Sequence, residues 1–586
     1  MNLVPPSFLL LLAVSVPLMG ASLLVVRSWR RAILPALPVA ALPALWLALT
    51  GPVGSRLSLP WLGPHTLLEL DAVGRVFLAF TSVLWLASGW YARGYLARDT
   101  HPVRFRVLFL LAMAGNFGLI LAGDVPTFYA AFALMGLSSA GLVFHRGDAE
   151  AVRAGRMYLT LAMVGEVLIL TGFVFLTVAG GTTQIAQLHR GVVSQPALLL
   201  LLAGFGIKAG ALTLHFWLPL AHPAAPVPAS AVLSGAMIKA GLLGWIRFLP
   251  LGEATMPGCG FTLISAGLGA AFLGTFVGVA QPNPKAVLAY SSISQMGIIM
   301  TGLGIGATRP EAWPAIQTAV LIYATHHALA KGARFLGVGL AHAAHTQGQR
   351  VVVAAGLLLP ALALAGAPFT SGALAKTALK ANVVFLPEGW ALALGLLLPL
   401  AAAGTTLKMA RFLWLTWPRP GQAADDAARG LWLPWLGLVA ATLAGVWLLP
   451  GALEVLPRKL TPEKLWDALW PLLAGGALAA LGAWLRRWFA ADVSRWLPAG
   501  DLGVLVERLL ARWPPRVPRE CGSHPEHGAG HDESGDPGGS RWTRRVERTG
   551  AALVRLETRL RSLSVAGALW LLLISLFVGL LALAAE

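Results

Sequence analysis

Sixteen stretches of about twenty residues run through this chain with scarcely a charge among them, each long enough to cross a bilayer as a helix. They fall at roughly 7–26, 33–50, 72–91, 105–122, 126–145, 156–179, 197–220, 227–249, 260–281, 285–306, 314–340, 351–385 (interrupted), 391–417, 431–450, 466–489 and 563–584. Backbone in hydrocarbon must satisfy its own polar groups, so runs of this kind specify helices. Of the 586 residues 57% are hydrophobic and only 12% charged, more apolar surface than a water-soluble core of that length can bury. We expect an all-α polytopic membrane protein, with the lipid bilayer as its first partner. Run 7–26 is too long for a signal-peptide core and has no small-residue cleavage site, so it is expected to stay as a helix.

A net charge of +18 would suit a nucleic-acid binder, but the basic residues gather in alternate loops. RSWRR (27–31), ARGYLARDTHPVRFR (92–106), HRGDAEAVRAGR (145–156) and WPRPGQAADDAARG (417–430) follow odd-numbered runs, whereas ANVVFLPEGW (381–390) carries no lysine or arginine. That asymmetry orients membrane proteins; it predicts cytoplasmic odd-to-even loops, both termini outward, and no nucleic-acid partner. Cys259 and Cys521 are too few and too far apart for a disulfide framework, an iron–sulfur set or a zinc set. No GxxxxGK[ST] phosphate cradle is present, which argues against an ATPase. No flavin, quinone or metal site is visible, so no cofactor is expected.

Residues 490–562 form the one long polar insert. Its first part mixes arginines with Trp, Leu and Val and reads as an amphipathic segment on the cytoplasmic surface. Low-complexity residues 521–540 follow, then a second basic amphipathic helix (541–563) leading into the final membrane helix, 563–586. Cys521, His524, His527 and His531 could hold a metal, as His-rich tracts do; the plainer reading is a solvated linker. The remaining divisions are an N-terminal group of helices, 1–104, and additional helices over 431–489.

The stretch 204–241 departs from the apolar rule. It reads as an apolar helix carrying Lys208 and His215, a proline-dense break (Pro219, Pro223, Pro226, Pro228), and another apolar helix carrying Lys239. A buried ammonium costs several kcal/mol unless paired or hydrated, so lysine at membrane depth points to function. Broken backbone at that depth is tolerated only inside protein or along a polar cavity. Snorkelling to an interface is the alternative for both lysines. His215, seven residues from Lys208, would share its helical face and could relay protons, or could equally be a core histidine bonded to freed backbone. His222, beside Pro223, reads as a cap on the break.

The pattern recurs. AGAPFTSGALAKTALK (365–380) has Pro368 and Gly372 at a break and Lys376 just after it. Lys208 and Lys239 lie 31 residues apart, Lys376 and Lys408 32 apart; Glu166 precedes Lys208 by 42 residues, Lys331 precedes Lys376 by 45. Two five-helix units, 105–249 and 260–417, thus place charges in matching positions. An odd number of helices in each turns the second upside down, the inverted repeat of secondary transporters.

These residues also resemble a known family: the antiporter-like subunits shared by respiratory complex I, energy-converting membrane hydrogenases such as formate hydrogenlyase, and Mrp-type cation/proton antiporters. The resemblance covers about 105–417 and rests on HFWLPLAHPAAPVPASAVLSGAMIKAG (215–241), NPKAVLAYSSISQMG (283–297), HHALAKGARFL (326–336) and the proline-broken helix with Lys376. It implies that Lys208 is the central lysine of a first half-channel and that Lys239 passes protons toward the middle. His327 and Lys331 would continue a hydrated axis, with Lys376 as the exit-side lysine; Lys408 completes the spacing of the second unit. The polar insert and last helix resemble, in shorter form, the lateral arm of the most distal such subunit in complex I. One departure matters: the glutamate this family usually places in the fifth helix is here Ala133. Glu166, the only carboxylate left deep in the first half, is expected to take over as the partner of Lys208, unless it is instead protonated and bonded to a neighbouring helix.

The expected function is a proton-translocating subunit of a complex I-like or membrane hydrogenase-type redox complex. It would move protons along a buried lysine, histidine and glutamate row and take its driving step from other membrane subunits and a soluble redox or driving module. A subunit of an Mrp-type antiporter is the first alternative; a proton channel driving an attached soluble protein, as in inorganic-carbon uptake, is the second. Sodium would favour carboxylate and carbonyl oxygens, and lysine dominates this row.

Overall fold

The structure, a computed structural model, describes residues 5–488 apart from 34–36, 64, 191–193, 342, 345, 419–429, 450, 453 and 455–460, together with 498–500, 503 and 504. The chain divides into two compact units, Met1–Gly503 and Val504–Glu586. Apart from 498–500, 503 and 504, the amphipathic segments and His-rich tract expected within 490–562, including Cys521, His524, His527 and His531, lie outside the described residues, as does the final helix, 563–586.

Nineteen helices and one hairpin make up what is described of the first unit. They are α1 (Pro6–Val25), α2 (Arg30–Ile33), α3 (Leu42–Thr50), β1 (Ser55–Ser58), β2 (Leu67–Leu70), α4 (Ala72–Tyr95), α5 (Pro102–Leu121), α6 (Val125–Val143), α7 (Ala149–Gly180), α8 (Gln195–Ala209), α9 (Trp217–Ala224), α10 (Val227–Val232), α11 (Lys239–Phe248), α12 (Pro257–Ala280), α13 (Pro284–Thr308), α14 (Trp313–Ala341), α15 (Gln347–Ala365), α16 (Ser371–Ala381), α17 (Glu388–Thr416), α18 (Trp432–Ala444) and α19 (Pro462–Trp488). Among the described residues eleven helices are long and apolar enough to cross a membrane, and three shorter apolar ones accompany them (Pro38–Thr50, Gln195–Ala209 and Trp432–Leu448). This is a multi-pass helical membrane protein.

Burial orders the bundle. The most apolar windows of Val227–Phe248 and Pro284–Thr308 are buried at every position, so these helices face only protein. The corresponding window of Pro462–Leu485 is 11% buried, which puts α19 at the periphery. Helices in lipid gain little from burying apolar surface against each other and associate through close packing at small residues. The contact of α12 with α13 works this way: a Cβ on Gly267 would lie 2.4 Å from the Gly297 carbonyl oxygen, and one on Gly297 the same distance from that of Gly267.

Two features differ from the sequence reading. Helix α7 starts at Ala149, seven residues before the expected boundary, because the Asp148 carboxylate caps it by accepting the Ala151 N–H at 2.8 Å. An antiparallel hairpin (β1–β2), too short to announce itself, precedes α4. Asp124 ties it down, accepting from the Leu67 N–H (2.7 Å) while capping α6 through the Thr127 N–H (2.8 Å). Arg247 fastens the same end: its guanidinium reaches the Asp71 carboxylate at 2.9 Å and the carbonyls of Leu119, Ile120 and Ala122.

Candidate functional site

Both expected helix breaks are present, and each is built on a pair of left-handed residues. Helix α8 stops at Ala209 because Gly210 takes φ +72°, and Thr213 follows at φ +70°. Helix α15 stops at Ala365, where Gly366 takes φ +92°, and Phe369 follows at φ +64°. Thr213 and Phe369 are the only non-glycine residues with positive φ among those described. This overturns two expectations. Pro219 and Pro223 lie within the short helix α9, so glycine makes the first interruption, while Pro226 and Pro228 stand at a second one, between α9 and α10. His215 is buried in the break itself, so it does not share a helical face with Lys208.

Around the first break, Lys208 sits in the last turn of α8, 5% exposed. Its ammonium donates to the Tyr158 hydroxyl at 2.9 Å and lies over the rings of Phe132 (5.5 Å) and Tyr158 (5.3 Å). Glu166, 2% exposed, comes from α7 into the same pocket. A Cβ on Gly136 of α6 would stand 2.5 Å from Glu166 Oε1 and 3.7 Å from Lys208 Nζ, so the bare glycine makes room for both. Ala133 lies one turn earlier on α6. No ion pair closes between Glu166 and Lys208, and Glu166 Oε2 is buried without a hydrogen-bond partner among the described residues.

The other candidates gather in a second group. The π-helical turn Leu233–Met237 interrupts the helix just before Lys239, whose ammonium donates to the Ser234 carbonyl at 2.7 Å. Lys331 of α14 donates to the Leu288 carbonyl at 2.6 Å, and Lys408 of α17 to Thr275 Oγ1 at 2.8 Å. Lys376 of α16 reaches back to the Ala365 carbonyl at the end of α15. Lys331 is within electrostatic reach of Lys239, Arg334 and Lys408, and Lys408 within that of Lys376. His327, fully buried, has neither ring nitrogen bonded among the described residues. Each of these four lysines is held by a neutral acceptor. Orphaned polar atoms in such numbers mark places where bridging water is normally found.

Several contributors were not singled out by the sequence. Tyr158 is one. His222, expected to cap the break, does not: Ser230 Oγ bonds its backbone carbonyl, but the ring stacks on Phe335 at 4.5 Å with both nitrogens unpartnered among the described residues. Tyr323 donates to Gln295 (2.9 Å), which donates to Thr405 Oγ1 (3.0 Å), one turn before Lys408. Tyr323 and Lys376 both line a cavity of about 690 Å³ between α16, α17 and α19, with the Lys380–Asp467 ion pair (3.1 Å) also on its lining.

Known proteins resemble this chain in sequence and fold. Residues 122–400 match the family described as NADH:quinone oxidoreductase/Mrp antiporter, transmembrane. The mnhA2 protein of Staphylococcus epidermidis, named as an antiporter subunit, is 31% identical over 349 residues, covering 54% of this chain and 43% of that protein. Hydrogenase-4 component B of Escherichia coli is 31% identical over 290 residues, 46% of this chain and 43% of that one. The match thus spans less than half the length of these curated relatives. In the solved Mrp complex of a Dietzia species, one chain superposes with a TM-score of 0.71 at 25% identity, covering 87% of this chain and 59% of that chain.

Proposed function

Because the chain belongs to the antiporter-like membrane subunit family, we propose that it conducts protons for a larger membrane assembly, first of all a complex I-like or membrane hydrogenase-type redox complex. The observation that carries the reading is the second group: Lys239, Lys331 and Lys408 are buried and Lys376 is half-buried beside the cavity, and each ammonium is held by a neutral carbonyl or hydroxyl. A structural role for a buried cation normally supplies an anion. Cations held only by neutral acceptors can lose and regain a proton as their neighbours change. His327, between Lys239 and Lys331 in electrostatic terms, suits a relay. Glu166 serves the first half as the partner of Lys208, and His215 lies in the break beside it.

The two five-helix units, 105–249 and 260–417, stand as an inverted repeat, supported by the matching left-handed pairs at the two breaks. The assembly supplies other membrane subunits and a soluble driving module, in a bacterial cytoplasmic membrane. A second reading, a subunit of an Mrp-type cation/proton antiporter, is favoured by the likeness to the Mrp complex.

Tagged chain purified from its host in mild detergent, with its companions identified by mass spectrometry, tests the assembly. Iron–sulfur or nickel subunits support the first reading, and small hydrophobic antiporter subunits the second. Reconstituted in liposomes, Lys331→Ala is expected to lower proton uptake at least tenfold; unchanged uptake would sink the proton row.

A further inference from the structure

Lys208 makes its hydrogen bond with a neutral side chain while one oxygen of a buried carboxylate in the same pocket has no partner among the described residues. Tyr158 and Glu166 are eight residues apart on α7, a little over two turns, so both project toward α8. The phenol is fixed in place: its ring stands edge-on to Trp217 (4.9 Å, 81°), whose indole N–H donates to the Ile207 carbonyl at 2.8 Å, in the last turn before the break. Glu166 offers the opposite: Oε2 has no partner among the described residues, while Oε1 and the Lys208 ammonium both border the space that Gly136 leaves empty. An ammonium so placed is drawn to the carboxylate by charge and to the hydroxyl by a preformed hydrogen bond.

We propose that Tyr158 is a positioning residue: its hydroxyl is a second docking station for Lys208, and the first half-channel switches as the lysine side chain swings between Tyr158 Oη and the Glu166 carboxylate on the same helix. The proposal rests on the proton-translocation reading. The swing breaks one hydrogen bond and forms another; the ammonium keeps its protons while on the hydroxyl and can surrender one only on reaching the carboxylate. Because both stations belong to α7, a shift of that one helix biases the switch without moving the break.

The test uses the chain with its co-purifying subunits in liposomes, proton uptake being driven by a potassium diffusion potential. Tyr158→Phe keeps the ring on Trp217 and removes only the hydroxyl. It and Glu166→Gln are each expected to lower uptake about tenfold, and the double variant no further than the weaker single, since two stations of one switch fail together. Losses that multiply, or full uptake in Tyr158→Phe, would overturn the proposal. The contact is also read without transport: the tyrosine C–O infrared band assigned through Tyr158→Phe should shift in Lys208→Met, and an unshifted band refutes it. If wild-type uptake is absent while the band shifts, the transport reading fails and the docking contact stands; if Lys331→Ala abolishes uptake while Tyr158→Phe leaves it full, the transport reading stands and the switch fails.

Discussion

The two breaks share a backbone device and differ in everything attached to it. Each ends a helix with a left-handed glycine and places a left-handed, exposed residue three positions later, Thr213 in one and Phe369 in the other. The first is closed: Lys208 is enclosed by two aromatic rings, with the buried carboxylate of Glu166 in the same pocket. The second faces the cavity of about 690 Å³, and Lys376 has only a carbonyl to hold. A closed pocket with a buried acid beside its lysine can hold a charge; an open one, whose acid Asp467 is already paired with Lys380, leaves Lys376 able to exchange it. On the proposed function, the same fold element would serve as a gate at one end and a mouth at the other.

The largest effect should separate backbone from side-chain crowding. At the second break a Cβ on Gly372 would lie 1.7 Å from the Ala363 carbonyl oxygen, which cannot yield, so Gly372→Ala should leave no folded protein in size-exclusion chromatography. At the first, Gly136→Ala meets only the movable end of Glu166 at 2.5 Å; that variant should fold and lose about tenfold in proton uptake. Next come the lysines. Lys208→Met strands Glu166 in a closed pocket and should cost about 2 kcal/mol in denaturant titration, whereas Lys376→Met, beside the cavity, should cost under about 1 kcal/mol. Equal losses would show that the two pockets are equally dry. Thr377→Trp, which fills the cavity, should lower uptake several-fold at unchanged stability. Smallest of all, Thr213→Gly and Phe369→Gly relieve left-handed strain at exposed positions and should stabilise by under about 1 kcal/mol each.

Much of this was legible from residue order alone, and the failures share a cause. Apolar runs located the helices because membrane length and hydropathy are summed over twenty residues. The lysines stood out because charge at that depth is expensive. The first break was misassigned because proline is a louder signal than Gly210, and threonine gives no hint of a left-handed backbone; carrying the helix through to His215 followed from that error. Tyr158 was invisible, since a tyrosine on an apolar helix usually signals packing, and its hydroxyl matters only once α8 brings Lys208 to it. His222 was read from its proline neighbour, but its surroundings come from Phe335, more than a hundred residues away.

The wide turn at Leu233–Met237 has an implication for how this chain can change over time. A π turn is an ordinary helix that has absorbed one surplus residue, so the segments on either side keep their phase. The carbonyl of Ser234, within that turn, receives the Lys239 ammonium. Deleting one residue from 233–237 would therefore heal the helix, leave Arg247 at its anchor, and take that carbonyl away from Lys239. Lys239 would be silenced without being mutated. For this helix, chain length is an inherited setting in its own right, and comparisons between relatives should count residues here as closely as they compare them.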